Sequence, residues 1–195
     1  MFADELLDRL PLRQCVTPSG EAIVPFAERR LLDWLSRPAQ FQITRYGAGG
    51  QIHAASEAAL GEAQALLREA YGELIAFSPP VVHTWVCPRE EQLMEPIMQL
   101  RVEAPRAHVL PVLGELKERN ADLQAVELEP DRAVLRGEIR LAELLGYERA
   151  LEGLTGAAAH VVSRLARYQP ASSGAMPGAG WWHADRGPAQ GVAGR

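Results

Sequence analysis

Between Arg132 and Leu141 the chain reads RAVLRGEIRL, and at Leu141 its period changes: Leu141, Leu144, Leu145, Leu151 and Leu154 recur at helical spacing. A period of two puts Ala133, Leu135, Gly137 and Ile139 on one face of a strand and Arg132, Val134, Arg136, Glu138 and Arg140 on the other. One face is largely charged, so helices are expected on the other face alone. The helical stretch carries Gly146 directly before Tyr147. Glycine inside a helix costs about 1 kcal/mol against alanine, so a tight turn is expected over 142–146, with the helix proper running from Tyr147 to Thr155 and Gly156. Gly146 is expected to let the chain turn where a side chain would be crowded, and Tyr147 to brace the junction.

The elements around this stretch repeat one order. IMQLRVE (97–103) alternates, with Met98, Leu100 and Val102 on one face. Pro105 suits the first position of a helix reaching about Arg119, with an apolar stripe of Val109, Val112, Leu113 and Leu116. AVELE (125–129) is a strand before the Pro130-Asp131 turn, and HVVSRLARY (160–168) is a final strand. The run 97–168 therefore reads strand, helix, strand, strand, helix, strand.

The first half follows the same order less clearly. A short helix is expected over 4–10 and a strand over 22–26 that Pro25 confines to an edge or a strand end, joined by a weakly patterned segment with a Pro18-Ser19-Gly20 turn. A helix over 26–37 turns Phe26, Leu31, Trp34 and Leu35 to one side. Strands at 41–47 and 50–56 form a hairpin across Gly47–Gly50. A second helix over 57–71 buries Leu60, Ala63, Leu67 and Ala70 and ends at Gly72. Strands follow at 73–77 and 81–86. The expected fold class is α+β: two tandem ferredoxin-like domains, each an antiparallel sheet with two helices on one face. The expected boundaries are 1–90 and 91–170, and the Gly-, Ala- and Pro-rich residues 171–195 are expected to be a disordered tail.

Composition excludes several classes. No apolar run approaches the ~20 residues of a membrane span, and Asp4, Glu5 and Asp8 stand where a signal peptide would be basic, so a cytoplasmic protein is expected. Two cysteines, Cys15 and Cys87, are too few for a disulfide framework. A net charge of −5 argues against nonspecific nucleic-acid binding.

MEPIMQLRVEAP (94–105), RGEIRLAELLGYERALEGLTG (136–156) and RLARYQP (164–170) resemble the C-terminal domain of elongation factor G and its relatives. Glu95, Pro96, Ile97, Leu141, Glu143, Gly146, Tyr147, Leu151, Leu154, Thr155 and Tyr168 fall on that family's motif positions. REAYGELIAFSPPVVHTW (68–85) is similar in outline to the third domain of the same factors, although AASEAALGEA (54–63) replaces the family's Gly-Met-Gly-Glu-Leu-His lead. The resemblance implies third and fifth domains joined directly, with the GTPase and fourth domains lacking. No G-x-x-x-x-G-K-[ST] phosphate loop occurs in the sequence, so no GTP binding, no cofactor and no enzymatic activity are expected.

The fifth domain of the family touches the ribosomal stalk base. The resemblance places the corresponding regions at 116–124, with Lys117, Arg119 and Asn120 as candidate contacts, and at 154–160, around Thr155 and Gly156. Both depart from the family's basic loops: Glu118 and Asp122 enter the first, and Ala157-Ala158-Ala159 forms the second. Arg136 and Arg140, on the charged strand face, are further candidates for phosphate or partner contact. Aromatic stacking platforms of the RNA-reading kind are missing from that face. His83 and Cys87 flank Trp85 on one face of a strand, but no second ligand pair stands at a usual metal spacing. Trp181-Trp182-His183 in the tail reads either as a segment folding back on an apolar groove or as an anchor for a partner. The expected function is a non-catalytic binding module that contacts the ribosome or a ribosome-associated protein; the alternative is a protein-interaction or self-association module that kept the fold alone.

Overall fold

The computed structural model describes residues 7, 9–20, 29–87 and 90–171. Expectations for the 4–10 helix, the 22–26 strand, Phe26, the side chain of Leu31 and the tail from residue 172 lie outside the described residues.

The first unit comprises β1 (Leu12–Pro18), α1 (Arg29–Leu35), β2 (Phe41–Tyr46), β3 (Gly49–Ala54), α2 (Glu57–Tyr71), β4 (Ile75–Phe77) and β5 (Val81–Val82). The second comprises β6 (Trp85–Val86), β7 (Leu93–Pro105), α3 (Val109–Glu118), β8 (Asp122–Leu128), β9 (Arg132–Arg140), α4 (Leu141–Leu144), α5 (Tyr147–Thr155) and β10 (His160–Pro170). Strand orders are β2-β3-β1-β4 and β10-β7-β9-β8, with β5 also beside β1 and β6 beside β7. Neighbours are antiparallel throughout. Each order is that of a split βαβ unit, in which a helical crossover skips the strand that later fills the gap. The fold is α+β with two ferredoxin-like sheets, as the element order required.

The β2–β3 hairpin, α2 with its Gly72 cap, and β7 to β10 follow the sequence pattern. The central strand of the first sheet does not: β1 falls in the weakly patterned segment. Its inward positions are Leu12, Gln14 and Val16, and the buried Gln14 interrupts the apolar alternation. Its amide is satisfied, donating to the carbonyl oxygen of Ser78 (2.6 Å) and accepting from Gln64 (2.7 Å).

Other expectations are corrected. In α1 it is Leu32 that is buried, while Trp34 is 80% exposed. In α2, Ala59 is buried and Ala70 exposed. Pro105 closes β7 and is followed by a 3₁₀ turn, Arg106–His108, before α3 begins. Segment 81–86 is not one strand: Val81 and Val82 pair with β1, whereas Trp85 and Val86 pair with β7. The chain changes sheets at His83, whose N–H donates to the carbonyl of Pro11 at 2.7 Å.

The Gly146 turn contains one helical turn, α4, rather than the end of a strand. Gly146 adopts φ +75°, and a Cβ there would meet nothing within 4 Å. Its glycine answers a left-handed backbone, and crowding plays no part. Gly137 is the opposite case: an added Cβ would lie 2.4 Å from the carbonyl oxygen of Asp122, where β8 bulges between Leu123 and Ala125. Tyr147 is 1% exposed, which places its ring in the core as a brace.

Candidate partner-binding face

Helices α3 and α5 cover the face of the second sheet that carries Met98, Leu100, Val102, Leu135 and Ile139, all buried. Register then defines the other face. Arg101 lies opposite Arg136 across β7–β9 and opposite Val162 across β7–β10, and Gln99 lies between Glu138 and Arg164. Like charges placed side by side repel, and the face relieves this with carboxylates. Arg101 pairs with Glu103, Arg132 with Glu129 (2.7 Å), Arg136 with Glu127 (3.3 Å) and Arg140 with Glu95 (2.9 Å). Arg164 donates to Gln99 (2.7 Å).

A register shift between Leu165 and Arg167 puts Arg167, rather than Ala166, opposite Ile97. The bulge re-aims its guanidinium onto this face, where it donates to Glu138 at 2.7 Å. The hydrogen bond from Arg167 holds the Glu138 carboxyl below its ordinary range. Glu129 is lowered likewise by its hydrogen bond from Arg132.

Two depressions result. Arg101, Arg136 and Arg164 surround the 56%-exposed Val162 in a cavity of about 300 Å³. Asn120, Arg140 and Arg167 meet Asp122, Glu138 and Glu143 in another of about 450 Å³. The surface pairs of Arg101, Arg132 and Arg136 contribute about 0–1 kcal/mol each, whereas Glu95, paired with Arg140, is buried. An anionic ligand offering bidentate oxygens can therefore replace the surface glutamates Glu103, Glu127 and Glu129 at small cost.

The sequence-expected residues are thus dispersed. Arg136 lines the first depression, and Asn120 and Arg140 share the second. Lys117 is exposed on α3. Arg119 is turned inward: its Nη1 donates to the carbonyls of Glu143 (2.8 Å) and Leu145 (2.9 Å), its Nε to Glu115 (2.7 Å), and its guanidinium lies 5.5 Å from the Tyr147 ring centre. It is a clamp between α3 and the Gly146 turn, not a free contact. The two candidate loop regions lie at opposite ends of α5. Arg119 meets the start of α5, whereas Thr155 and Gly156 lie at its other end, about 13 Å away along the helix. Thr155 is buried and donates to the carbonyl of Leu151 at 2.8 Å, and Gly156 is the left-handed cap of the helix.

Sequence reasoning missed Arg164 and Arg167. Alternation in HVVSRLARY signals the first; the bulge hides the second. It also missed the junction between the sheets. There Arg13 Nη2 donates to His83 Nε2 (3.1 Å), and the His83 and Trp85 rings each meet Tyr168 edge-on with centres 6.2 Å apart. Burial, then the Arg13 charge, lowers His83 to about 4. His53, which shares a 3.0 Å hydrogen bond with Thr44, is lowered to about 4 by burial, Arg13 and His83 in that order. No cluster of metal-ligating side chains occurs among the described residues, and no described helix is long and apolar enough to cross a membrane.

Residues 92–177 match the family described as Elongation factor G C-terminus. Ribosome-releasing factor 2, mitochondrial, of Bos taurus is 35% identical over 80 residues, covering 41% of this chain and 10% of that protein. The Rattus norvegicus protein of the same name is 35% identical over 83 residues, covering 43% and 11%. Elongation factor G of Aquifex pyrophilus is 33% identical over 76 residues, covering 39% and 11%. The chain thus spans about a tenth of the length of the curated relatives it matches. A crystal structure from Thermus thermophilus shares the fold, with a TM-score of 0.57 at 18% identity over 83% of this chain and 41% of that one. The second half of the chain is therefore homologous to the C-terminal part of elongation factor G, as its Glu95-Pro96-Ile97 and Gly146-Tyr147 motifs implied, and the family model that matches is that of the C-terminus alone.

Proposed function

We propose that this chain is a non-catalytic, translation-associated binding module that docks on the ribosome or a ribosome-associated factor through the arginine-bearing face of its second unit. The carrying observation is the homology of residues 92–177 to elongation factor G and ribosome-releasing factor 2. In this reading 1–90 is the counterpart of the third domain, 91–170 that of the C-terminal domain, and 171–195 a tail. Arg101, Arg136 and Arg164 supply exchangeable guanidiniums for phosphate or carboxylate, with Asn120, Arg140 and Arg167 beside them. The sequence carries no phosphate loop, so the work proposed is binding and not GTP hydrolysis.

Sedimentation with ribosomes at low salt tests this. The protein should pellet with ribosomes, release as salt rises, and lose binding when Arg101, Arg136 and Arg164 are replaced by glutamate with the melting temperature preserved. A protein that stays in the supernatant at low salt removes the ribosome itself as partner, and a triple variant that pellets like the parent removes this face.

A further inference from the structure

We infer that the free edge of β8 accepts an extended, basic polypeptide segment as an added strand. Among the described residues β8 pairs with β9 alone. The N–H of Glu129 donates to the carbonyl of Arg132 at 2.8 Å, closing the hairpin with a hydrogen-bonded pair. Counting back along an antiparallel ladder, hydrogen-bonded and non-hydrogen-bonded pairs alternate. Leu128–Ala133 and Val126–Leu135 are then non-hydrogen-bonded pairs, so the N–H and C=O groups of Val126 and Leu128 point away from β9. The two residues that offer backbone groups outward also offer side chains, for Val126 is 43% and Leu128 57% exposed.

Their side chains share the helix-covered face with Ala133 and Leu135, but α3 leaves them open. On α3, Glu115 and Arg119 face Tyr147 on α5. Leu110 lies roughly 140–180° around the helix from both, on the flank away from α5, and is 80% exposed. Val126 and Leu128 therefore form an apolar shelf beside an unpaired backbone edge, the arrangement that strand addition requires.

Charge selects the occupant. Glu118, Asp122 and Asp131 are exposed around β8 and make no ion pair with another described residue. Glu127 and Glu129 on and beside the strand reach arginines of β9 only through exposed pairs; Lys117 on this flank of α3 and Arg106, whose Nη1 donates to the Glu129 carbonyl at 3.0 Å, are cations beside them, fewer than the five carboxylates. Two copies of the chain meeting here would set these carboxylates against one another, which is unfavourable. A segment alternating apolar and basic residues places one row on the shelf and the other against the acids.

The test uses fluorescence anisotropy with three labelled octapeptides at physiological ionic strength: alternating valine and arginine, alternating valine and glutamate, and the arginine peptide with N-methylated valines. The first should bind saturably, the second and third at least about tenfold more weakly, because they lack the charge and the backbone donors respectively. Val126→Pro removes an outward N–H while leaving the β9 ladder intact, and Leu128→Lys charges the shelf. Each should weaken the arginine peptide by about tenfold or more, with circular dichroism unchanged. Absence of saturable binding, equal binding of the glutamate or N-methylated peptide, or full affinity in a folded Leu128→Lys protein would overturn the inference. So would a dimer, seen by sedimentation, that Leu128→Lys disperses, since the edge would then belong to a second copy.

Discussion

The carboxylate of Glu57, in the first turn of α2, accepts the backbone N–H of Gly146, at the start of α5, at 2.8 Å. One residue of the first unit thereby holds the turn that defines the second. Buried apolar side chains from both units belong to one connected cluster, so the two sheets are coupled by packing as well as by this bond.

A neutral or truncated residue at 57 should loosen that coupling. Because the bond is exposed, Glu57→Ala is expected to cost about 1 kcal/mol and Glu57→Gln less. Denaturant titration followed separately by Trp fluorescence and by circular dichroism checks this. Identical midpoints for all three proteins would show that the bond contributes nothing to stability.

At position 146 the cause of the glycine can be tested directly. Since φ is +75° and no atom lies within 4 Å of an added Cβ, Gly146→Asn should cost less than Gly146→Ala, and Gly146→Val should cost more than about 1 kcal/mol. If asparagine and alanine cost the same, backbone conformation is not what selects glycine. Thermal melts of the three variants separate the cases.

Arg119 should behave as a structural residue. Arg119→Ala removes two bonds to carbonyl oxygens, the Glu115 pair and the contact over Tyr147, for a loss of about 2 kcal/mol or more. Arg119→Lys should recover little, because one ammonium does not reproduce the planar fork. Ribosome sedimentation of whatever protein remains folded should equal that of the parent, and a selective loss of binding in a fully stable Arg119→Ala protein would return this residue to the contact surface.

Acid should destabilise the protein through His53 and His83, both lowered to about 4 from an ordinary 6.5. Above pH 6.5 the folded and unfolded states are both neutral at these rings and nothing changes. Between 6.5 and 4 the unfolded chain takes up protons that the folded chain refuses, so stability falls with pH, by at most about 1.4 kcal/mol per pH unit for each ring. Below 4 their contribution flattens. Denaturation midpoints across this window should show the slope, and His53→Gln should reduce it; an unchanged slope in that variant would assign the acid sensitivity elsewhere.

Legibility differed by element for physical reasons. The strands β7 and β9 could be read because one face is buried and the other wet, so burial wrote itself into the alternation. The central strand β1 could not, because Gln14 sits in the core on a hydrogen bond from Gln64 and another to the Ser78 carbonyl that no local pattern reveals. Trp34 misled for the complementary reason: a large aromatic was assigned inward, while helix α1 turns Leu32 to the core. Of the candidate site, Arg136 and Arg140 followed from strand phase alone. Lys117, Asn120 and Arg119 came from a likeness in loops, and loop side chains take their directions from neighbours.

By itself the sequence determined the order of the long strands and helices from β7 to β10, which strand face is charged, and that Gly146 interrupts a helix. These properties depend on side-chain direction along one segment, which the backbone period sets without reference to a partner. Only the tertiary structure decided that 81–86 divides between two sheets, that Arg119 turns inward, and that a bulge brings Arg167 to the open face. In each of these the deciding group is a hydrogen-bonding partner far along the chain, such as the carbonyls of Glu143 and Leu145 for Arg119, and its position exists only once the sheets have closed.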